Sequence, residues 1–214
     1  MKIVLFGATG HIGQRIAAES ITRGHTVSGV VRDPARSQTP VPGVALVAGD
    51  VTDAGAVAGL ARGADAVVCA ISPRPGTTGH APSLAAAARA LIAGLGQAGV
   101  NRLVVVGGAG SLEVAPGLLL MDAEGFPADY KAEALDGRDA LDVYRVEGSL
   151  DWTFVSPAAM IGPGARTGTY RTTIDRFLTD AAGRSTISFE DYAVAIVDEL
   201  ERPRNIRRRF GVAY

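Results

Sequence analysis

Short apolar runs alternate with longer stretches whose apolar positions recur every three or four residues, and this alternation continues along most of the chain. The segment KIVLF at 2–6 has no polar residue after Lys2, as expected of a strand covered on both faces. Residues 11–23 then place Ile12, Ile16 and Ser20 on one helical face. Further strands are predicted at 25–31, 44–49, 65–71 and 102–107, with a helix between the middle two that begins near Thr52 or Asp53. Over 81–98, Leu84, Ala88, Leu91 and Leu95 form a helical stripe. Over 128–147, Tyr130, Ala134, Leu141 and Tyr144 form another, weakened by Gly137. DWTFVS at 151–156 reads as a strand, followed by an irregular glycine-rich stretch to about 184. A short strand at 185–188, a helix at 189–202 and a strand at 208–213 complete the pattern. Strand–helix alternation of this kind predicts an α/β fold, a doubly wound parallel sheet of Rossmann type with helices on both faces and a small C-terminal cap region.

The 214 residues are 47% hydrophobic, enough to bury the core of one globular domain over 1–214, with 157–190 supplying a small cap on the substrate side. A formal charge of −1 gives no electrostatic reason to expect nucleic acid or an anionic membrane as partner. No apolar run reaches membrane-spanning length, and KIVLF is too short for the core of a signal peptide. The single cysteine, Cys69, has no intrachain partner, so the expected compartment is the cytoplasm. No metal site is expected. A small molecule is the expected partner, of a monomer or homodimer.

The first predicted strand runs into GATGHIG, with glycines at Gly7, Gly10 and Gly13. Gly7 permits a tight turn, Gly10 lets backbone approach a ligand, and Gly13 lets the following helix pack closely on the sheet. The helix start, flanked by Thr9, His11 and Ile12, then presents free N–H groups and a positive dipole end to an anion. A glycine triplet between a strand and a helix is the context in which a dinucleotide pyrophosphate binds. At the end of the second strand stands Arg32–Asp33–Pro34. Asp33 before a proline reads as the cap of a short helical turn. Arg32 is placed to fork onto a ribose 2′-phosphate, which favours NADP, with NAD still open.

The GATG opening and Gly-x-x-Gly-x-x-Gly spacing resemble the short-chain dehydrogenase/reductase superfamily in its extended and atypical branches. That resemblance implies that Asp50 faces the adenine amino group and Val51 its ring, and that Ile71 and Ser72 lie beside the pyrophosphate or the nicotinamide ribose. Many members use Tyr-x-x-x-Lys to pass a proton to a carbonyl oxygen. Here the residues four after Tyr130, Tyr144, Tyr170 and Tyr192 are Ala134, Gly148, Ile174 and Ile196, and Tyr214 ends the sequence. Lys2 and Lys131 are the only lysines. The relay is therefore absent, which argues against a sugar-type epimerase or dehydratase. It leaves either hydride transfer to an acceptor that absorbs charge itself or a dinucleotide sensor without catalysis.

VVVGGAGSLEVAPG (104–117), LDWTFVSPAAMIGPGARTGTYR (150–171) and ISFEDYAVAIVDELERP (187–203) resemble the NAD(P)H-dependent flavin-reductase-like proteins, a group related to biliverdin reductase B and the NmrA-like regulators. The resemblance implies that Ser111 sits near nicotinamide and substrate, that Gly107 and Gly108 run close to the ligand, and that Ser156, Pro157 and Ala158 follow the nicotinamide. Tyr130, without its lysine, is expected as a pocket wall or core residue more than as an acid. Arg166, Tyr170 and Arg171 are placed to touch an anionic substrate from the cap. His11, His25 and His80 are expected to be solvated or capping, so no catalytic histidine is carried over, which argues against biliverdin as substrate. Trp152 and Cys69 read as core, and Arg202, Arg204 and Arg207 to Arg209 as a solvated or ion-paired surface.

Overall fold

The computed structural model describes residues 1–36, 41–72 and 83–214. The strands are β1 (Lys2–Phe6), β2 (Thr26–Val31), β3 (Ala45–Ala48), β4 (Ala66–Cys69), β5 (Arg102–Val106), β6 (Glu113–Ala115), β7 (Leu118–Leu119), β8 (Asp151–Ser156), β9 (Met160–Gly162), β10 (Arg171–Thr173), β11 (Thr186–Ser188) and β12 (Arg208–Ala213). The helices are α1 (His11–Thr22), α2 (Ala54–Ala61), α3 (Leu84–Ala98), α4 (Lys131–Arg145) and α5 (Phe189–Glu201). Eight strands form one sheet in the order β10-β12-β8-β5-β4-β1-β2-β3, parallel except for β10, which runs antiparallel along β12.

The continuous apolar strands are explained by cover on both faces. Phe6, Cys69, Leu103, Val105, Trp152 and Phe154 point to the core beneath α2, α3 and α4. Their neighbours Leu5, Val68, Val104, Val155 and Phe210 point to the core beneath α1 and α5. Trp152 and Cys69 are core residues, as read from the sequence, and burial pushes the Cys69 thiol up to about 12. Helix starts follow the expected chemistry: Asp53 accepts from the N–H groups of Gly55 and Ala56, and Ser188 accepts from Asp191. Gly99, at φ 71, ends α3 in the left-handed conformation.

Three features depart from the predicted pattern. The hairpin β6–β7 arises where no element was predicted, and the strands β9 and β10 arise within the stretch read as irregular; each strand is three residues or fewer and shows no period of its own. Tyr130 belongs to a short 3-10 turn ahead of α4 and is 57% exposed, so it does not share the buried face of Tyr144. Arg209 is buried inside β12 and does not join a surface cluster.

The segment 163–170 lies along α5 and is fastened there by carboxylates, of which Asp191 takes the most bonds. Asp191 Oδ1 accepts from the N–H groups of Thr167 and Gly168 at 2.8 and 2.7 Å, and Oδ2 accepts from Thr167 Oγ1 and the Tyr214 hydroxyl at 2.6 and 2.7 Å. Burial alone would raise the Asp191 pKa, but these donors outweigh it and hold the carboxyl below its usual range. The side chains expected to meet substrate from this region are engaged elsewhere. Arg166 pairs with Glu19, the Tyr170 hydroxyl donates to Asp198 at 2.5 Å, and Arg171 donates to the carbonyls of Thr179 and Tyr214.

Because the folded Asp191 titrates below its unfolded value of about 3.9, its contribution is complete above that value and disappears as pH falls through the folded one. Asp191→Asn is expected to lower stability in urea titrations by about 1–3 kcal/mol at neutral pH. The gap from the parent protein is expected to narrow as pH falls through the acid range.

Candidate functional site

Parallel strands deliver their exits to one edge of the sheet. Gly7, Arg32, Asp50, Ile71, Gly107 and Pro157 each follow a strand end and come together there. The chain passes from β1 outward to β2 and β3, then returns to β4 on the other side of β1, so the strand order reverses between β1 and β4. Ligands of open α/β sheets bind at such a reversal.

Backbone lies against backbone at this point. Gly7 has φ +81, and a Cβ there would sit 2.5 Å from the Ala70 carbonyl oxygen just beyond β4. A Cβ on Gly13 would sit 2.1 Å from the Gly7 carbonyl. Both glycines are therefore required for α1 to start directly over the sheet edge. The Gly10 N–H donates to Gly7 O at 3.0 Å, and Gly10 stands at the N-cap with no side chain capping the helix. The first turn of α1 contains no acidic residue, so its positive end is not neutralised from within. Thr9, His11 and Ile12 flank this start, and the Thr9 carbonyl accepts from Gln14 Nε2 at 2.8 Å. The His11 ring stacks on Phe189 at 5.8 Å, which joins the starts of α1 and α5. His25 lies away from the site, 2.9 Å from Glu201, and His80 lies outside the described residues.

On the β2–β3 side, Arg32 is exposed and Asp33 caps the turn Pro34–Arg36 through Ala35 N–H at 3.0 Å, as read from the sequence. Asp50 Oδ1 accepts from the N–H and hydroxyl of Thr52 at 2.8 and 2.7 Å. These two bonds, helped by the nearby charge of Arg32, hold its carboxyl below the usual range. Val51 is mostly covered within the core beneath α2 and α3. On the other side, Ile71 packs at the margin of the same core, and the Ser72 hydroxyl donates to Glu133 of α4 at 2.8 Å.

The exits of β5 and β8 are locked together. Val155 O accepts from Gly107 N–H at 2.8 Å and from the buried Tyr192 hydroxyl at 2.5 Å. A Cβ on Gly107 would strike the Phe154 ring at 2.0 Å, whereas one on Gly108 would meet nothing within 4 Å. Ser156 Oγ is buried and has no hydrogen-bond partner among the described residues. Pro157 and Ala158 line a narrow cleft with Leu112, Phe177, Leu178 and Gly211. Ser111 is 6% exposed, and its hydroxyl and carbonyl oxygens both accept from Arg209 Nη1, at 2.9 and 2.6 Å. Lys131 does not serve Tyr130: its ammonium donates to Met121 O at 2.5 Å and to Asp122 at 2.8 Å.

Arg209 and Tyr192 escaped the sequence reading for different reasons. Tyr192 lies on a helix face no different in pattern from any other core face. Arg209 stands in an arginine-rich run beside the exposed Arg208, so nothing in RRFGVA separated it from a surface arginine.

An uncapped helix start floored by glycine, at the reversal point of a parallel sheet, defines a dinucleotide-binding protein of Rossmann type. The chain belongs to the NAD(P)H-binding family, whose profile matches residues 7–203. It is 41% identical over 216 residues to the uncharacterized protein YwnB of Bacillus subtilis, an alignment covering 99% of this chain and 98% of that one. A Burkholderia pseudomallei structure, provisionally named an exported protein, has 49% identity and a TM-score of 0.90 over 100% of both chains. One from Streptococcus pneumoniae, provisionally named an NADH-flavin reductase, has 33% identity and a TM-score of 0.86 over 100% of this chain and 99% of that one. No helix among the described residues is long and apolar enough to cross a membrane.

Gly13→Ala is expected to push α1 off the β1 exit, at a cost of about 1–3 kcal/mol. Scanning calorimetry should show a lower Tm, and titration calorimetry should show dinucleotide binding weakened more than tenfold. Gly96→Ala, in α3 with nothing within 4 Å of its Cβ, is the control: it should not lower Tm, which helix propensity favours raising, and should leave dinucleotide binding unchanged.

Proposed function

We propose that the protein is an NAD(P)H-dependent oxidoreductase acting on a flavin-like or quinone-like acceptor, with NADP as the favoured dinucleotide. The observation that carries this reading is the commitment of Lys131 to Met121 and Asp122, which leaves Tyr130 exposed and without the partner that carbonyl reduction needs. The bound reduced nicotinamide supplies a hydride, two electrons and one proton, to an acceptor ring that delocalises the incoming charge. The residues of this chain bind and orient. The turn of Gly7, Thr9, Gly10, His11, Ile12 and Gly13 holds the pyrophosphate on backbone N–H groups, and Arg32 forks onto the 2′-phosphate. Asp50 and Val51 meet the adenine, and Ile71 and Ser72 the ribose. Gly107, Gly108, Ser156, Pro157 and Ala158 frame the ring. Ser111 donates to the acceptor, Tyr130 forms a wall, and 157–190 caps the acceptor side of a single domain. Positioning supplies most of the rate, and solvent supplies the remaining proton.

The Streptococcus pneumoniae relative supports this reading by its name and its 33% identity. The cytoplasm, where reduced dinucleotide is available, is the compartment in which a monomer or homodimer would work. A second reading is a dinucleotide sensor of the NmrA-like type, favoured by the near-complete burial of Ser111. Steady NADPH oxidation with FMN or riboflavin, lost in Gly10→Val protein, supports the reductase. Tight dinucleotide binding with no turnover of any flavin or quinone supports the sensor and removes the first reading.

Arg32→Ala is expected to weaken NADPH binding about tenfold or more while leaving NADH within about twofold. Unchanged preference in titration calorimetry rules out Arg32 as the phosphate-reading residue.

A further inference from the structure

We infer that Arg209 is a positioning residue that orients Ser111 and polarises its hydroxyl toward the acceptor. The inference rests on the reductase reading above, in which Ser111 faces the acceptor. Among the described residues, Arg209 is the arginine whose guanidinium bonds the β5 exit loop, and its side chain is 3% exposed. It reaches that loop from β12, on the opposite side of β8 from β5, where it stands level with Phe154. One nitrogen, Nη1, donates to both Ser111 O and Ser111 Oγ, so the backbone and the side chain of the serine are fixed by the same group. The other edge, Nε and Nη2, is held by Asp175 Oδ1.

Three consequences follow from this arrangement. The serine oxygen accepts from a cation that has no proton acceptor of its own, so the hydroxyl hydrogen must point elsewhere and is available to donate. A hydroxyl that accepts from a guanidinium is also a stronger donor, because hydrogen bonds in a chain polarise one another. Finally, the charges are unequally screened. Asp175 is 44% exposed and meets water, whereas the guanidinium edge at Ser111 is buried. The positive potential therefore persists on the Ser111 side, where an acceptor taking up a hydride gains negative charge. Asp175 itself has φ +58, a conformation uncommon for a residue with a side chain, in the turn that brings its carboxylate under Arg209.

A simple anchor would explain the buried ion pair but predicts different behaviour. The test compares Ser111→Ala, Arg209→Lys and the double variant, using NADPH and FMN. Arg209→Lys keeps the charge and loses the fork. Each single variant is expected to lower kcat about tenfold, and the double variant to be no slower than the worse single one, because the two residues act as a unit. Binding of oxidised FMN to the NADP-loaded protein, followed by flavin fluorescence without turnover, should weaken to the same extent in all three. NADP affinity by calorimetry should stay within about twofold. Asp175→Asn, which retains the shape of the pair, keeps the fold measurable should Arg209→Lys unfold, and is expected to lower kcat and FMN affinity in the same direction by a smaller factor.

Effects of Ser111→Ala and Arg209→Lys that multiply overturn the inference, as does a loss of Tm with FMN affinity unchanged. Absence of flavin or quinone turnover in the parent protein overturns the reductase reading, and this inference with it. Turnover in the parent with independent single effects overturns this inference alone.

Discussion

Backbone against backbone at the exit of β1 is the constraint on which the site depends. Gly7 touches the chain leaving β4, and Gly13 touches Gly7, with no room for a Cβ at either place. This contact brings the start of α1 to the sheet edge and leaves its first N–H groups facing the crevice uncapped. Because β1 lies between β2 and β4, the strand exits that carry Arg32 and Asp50 stand on one side of it and those that carry Ile71, Ser72, Gly107 and Ser156 on the other. A helix displaced outward by one methyl group would leave the strand exits in place and remove the uncapped helix start from beside them.

The remaining structure holds that edge by polar ties, and their partners come from distant parts of the sequence. On the face of α1 and α5, Glu19 receives Arg23 and Arg166, and Arg23 also reaches Asp198 and Glu201. Hydrogen bonds from Arg166, and then from Arg23, outweigh burial and hold the Glu19 carboxyl below its usual range. Exposed pairs of this type are worth little singly, but a network whose central carboxylate is 6% exposed is screened less than a surface pair. At the base of the sheet, the buried Glu199 carboxylate gathers Arg102, Thr153, Asn205 and the backbone of Arg204, which closes the return from α5 to β12. On the α4 face, Arg209 ties the β5 exit loop to Asp175. Several of these connections are thus fixed by a charge on another element.

Loss of the tyrosine–lysine relay has a visible structural counterpart. Lys131 closes the end of the loop that carries Ser111 by bonding Met121 and Asp122, so the one lysine near the site serves loop geometry. In the reading proposed above, orientation and the buried Arg209 guanidinium behind the Ser111 hydroxyl would take the place of proton supply by a tuned tyrosine. Such a site suits acceptors that need little acid assistance.

Much of this was legible in the residues themselves. The strand–helix alternation, the glycine turn, the caps at Asp33 and Asp53 and the missing lysine are local properties, governed by periodicity of two or 3.6, by φ and by short side-chain bonds. Four of the five strands of two or three residues, β6, β7, β9 and β10, were not legible, because they are too short for a period and exist only through their neighbours; β11, equally short, was read ahead of its helix. Nor were the assignments of charge. Arg166, Tyr170 and Arg171 read as free groups near substrate until the fold supplied Glu19, Asp198 and the carbonyls of Thr179 and Tyr214. Arg209 read as surface until β8, the Ser111 loop and Asp175 enclosed it. Composition and spacing determine which elements form and where an anion is welcome. Only the tertiary structure decides which charge meets which partner, because a hydrogen bond between residues 98 positions apart leaves no trace in the pattern around either one.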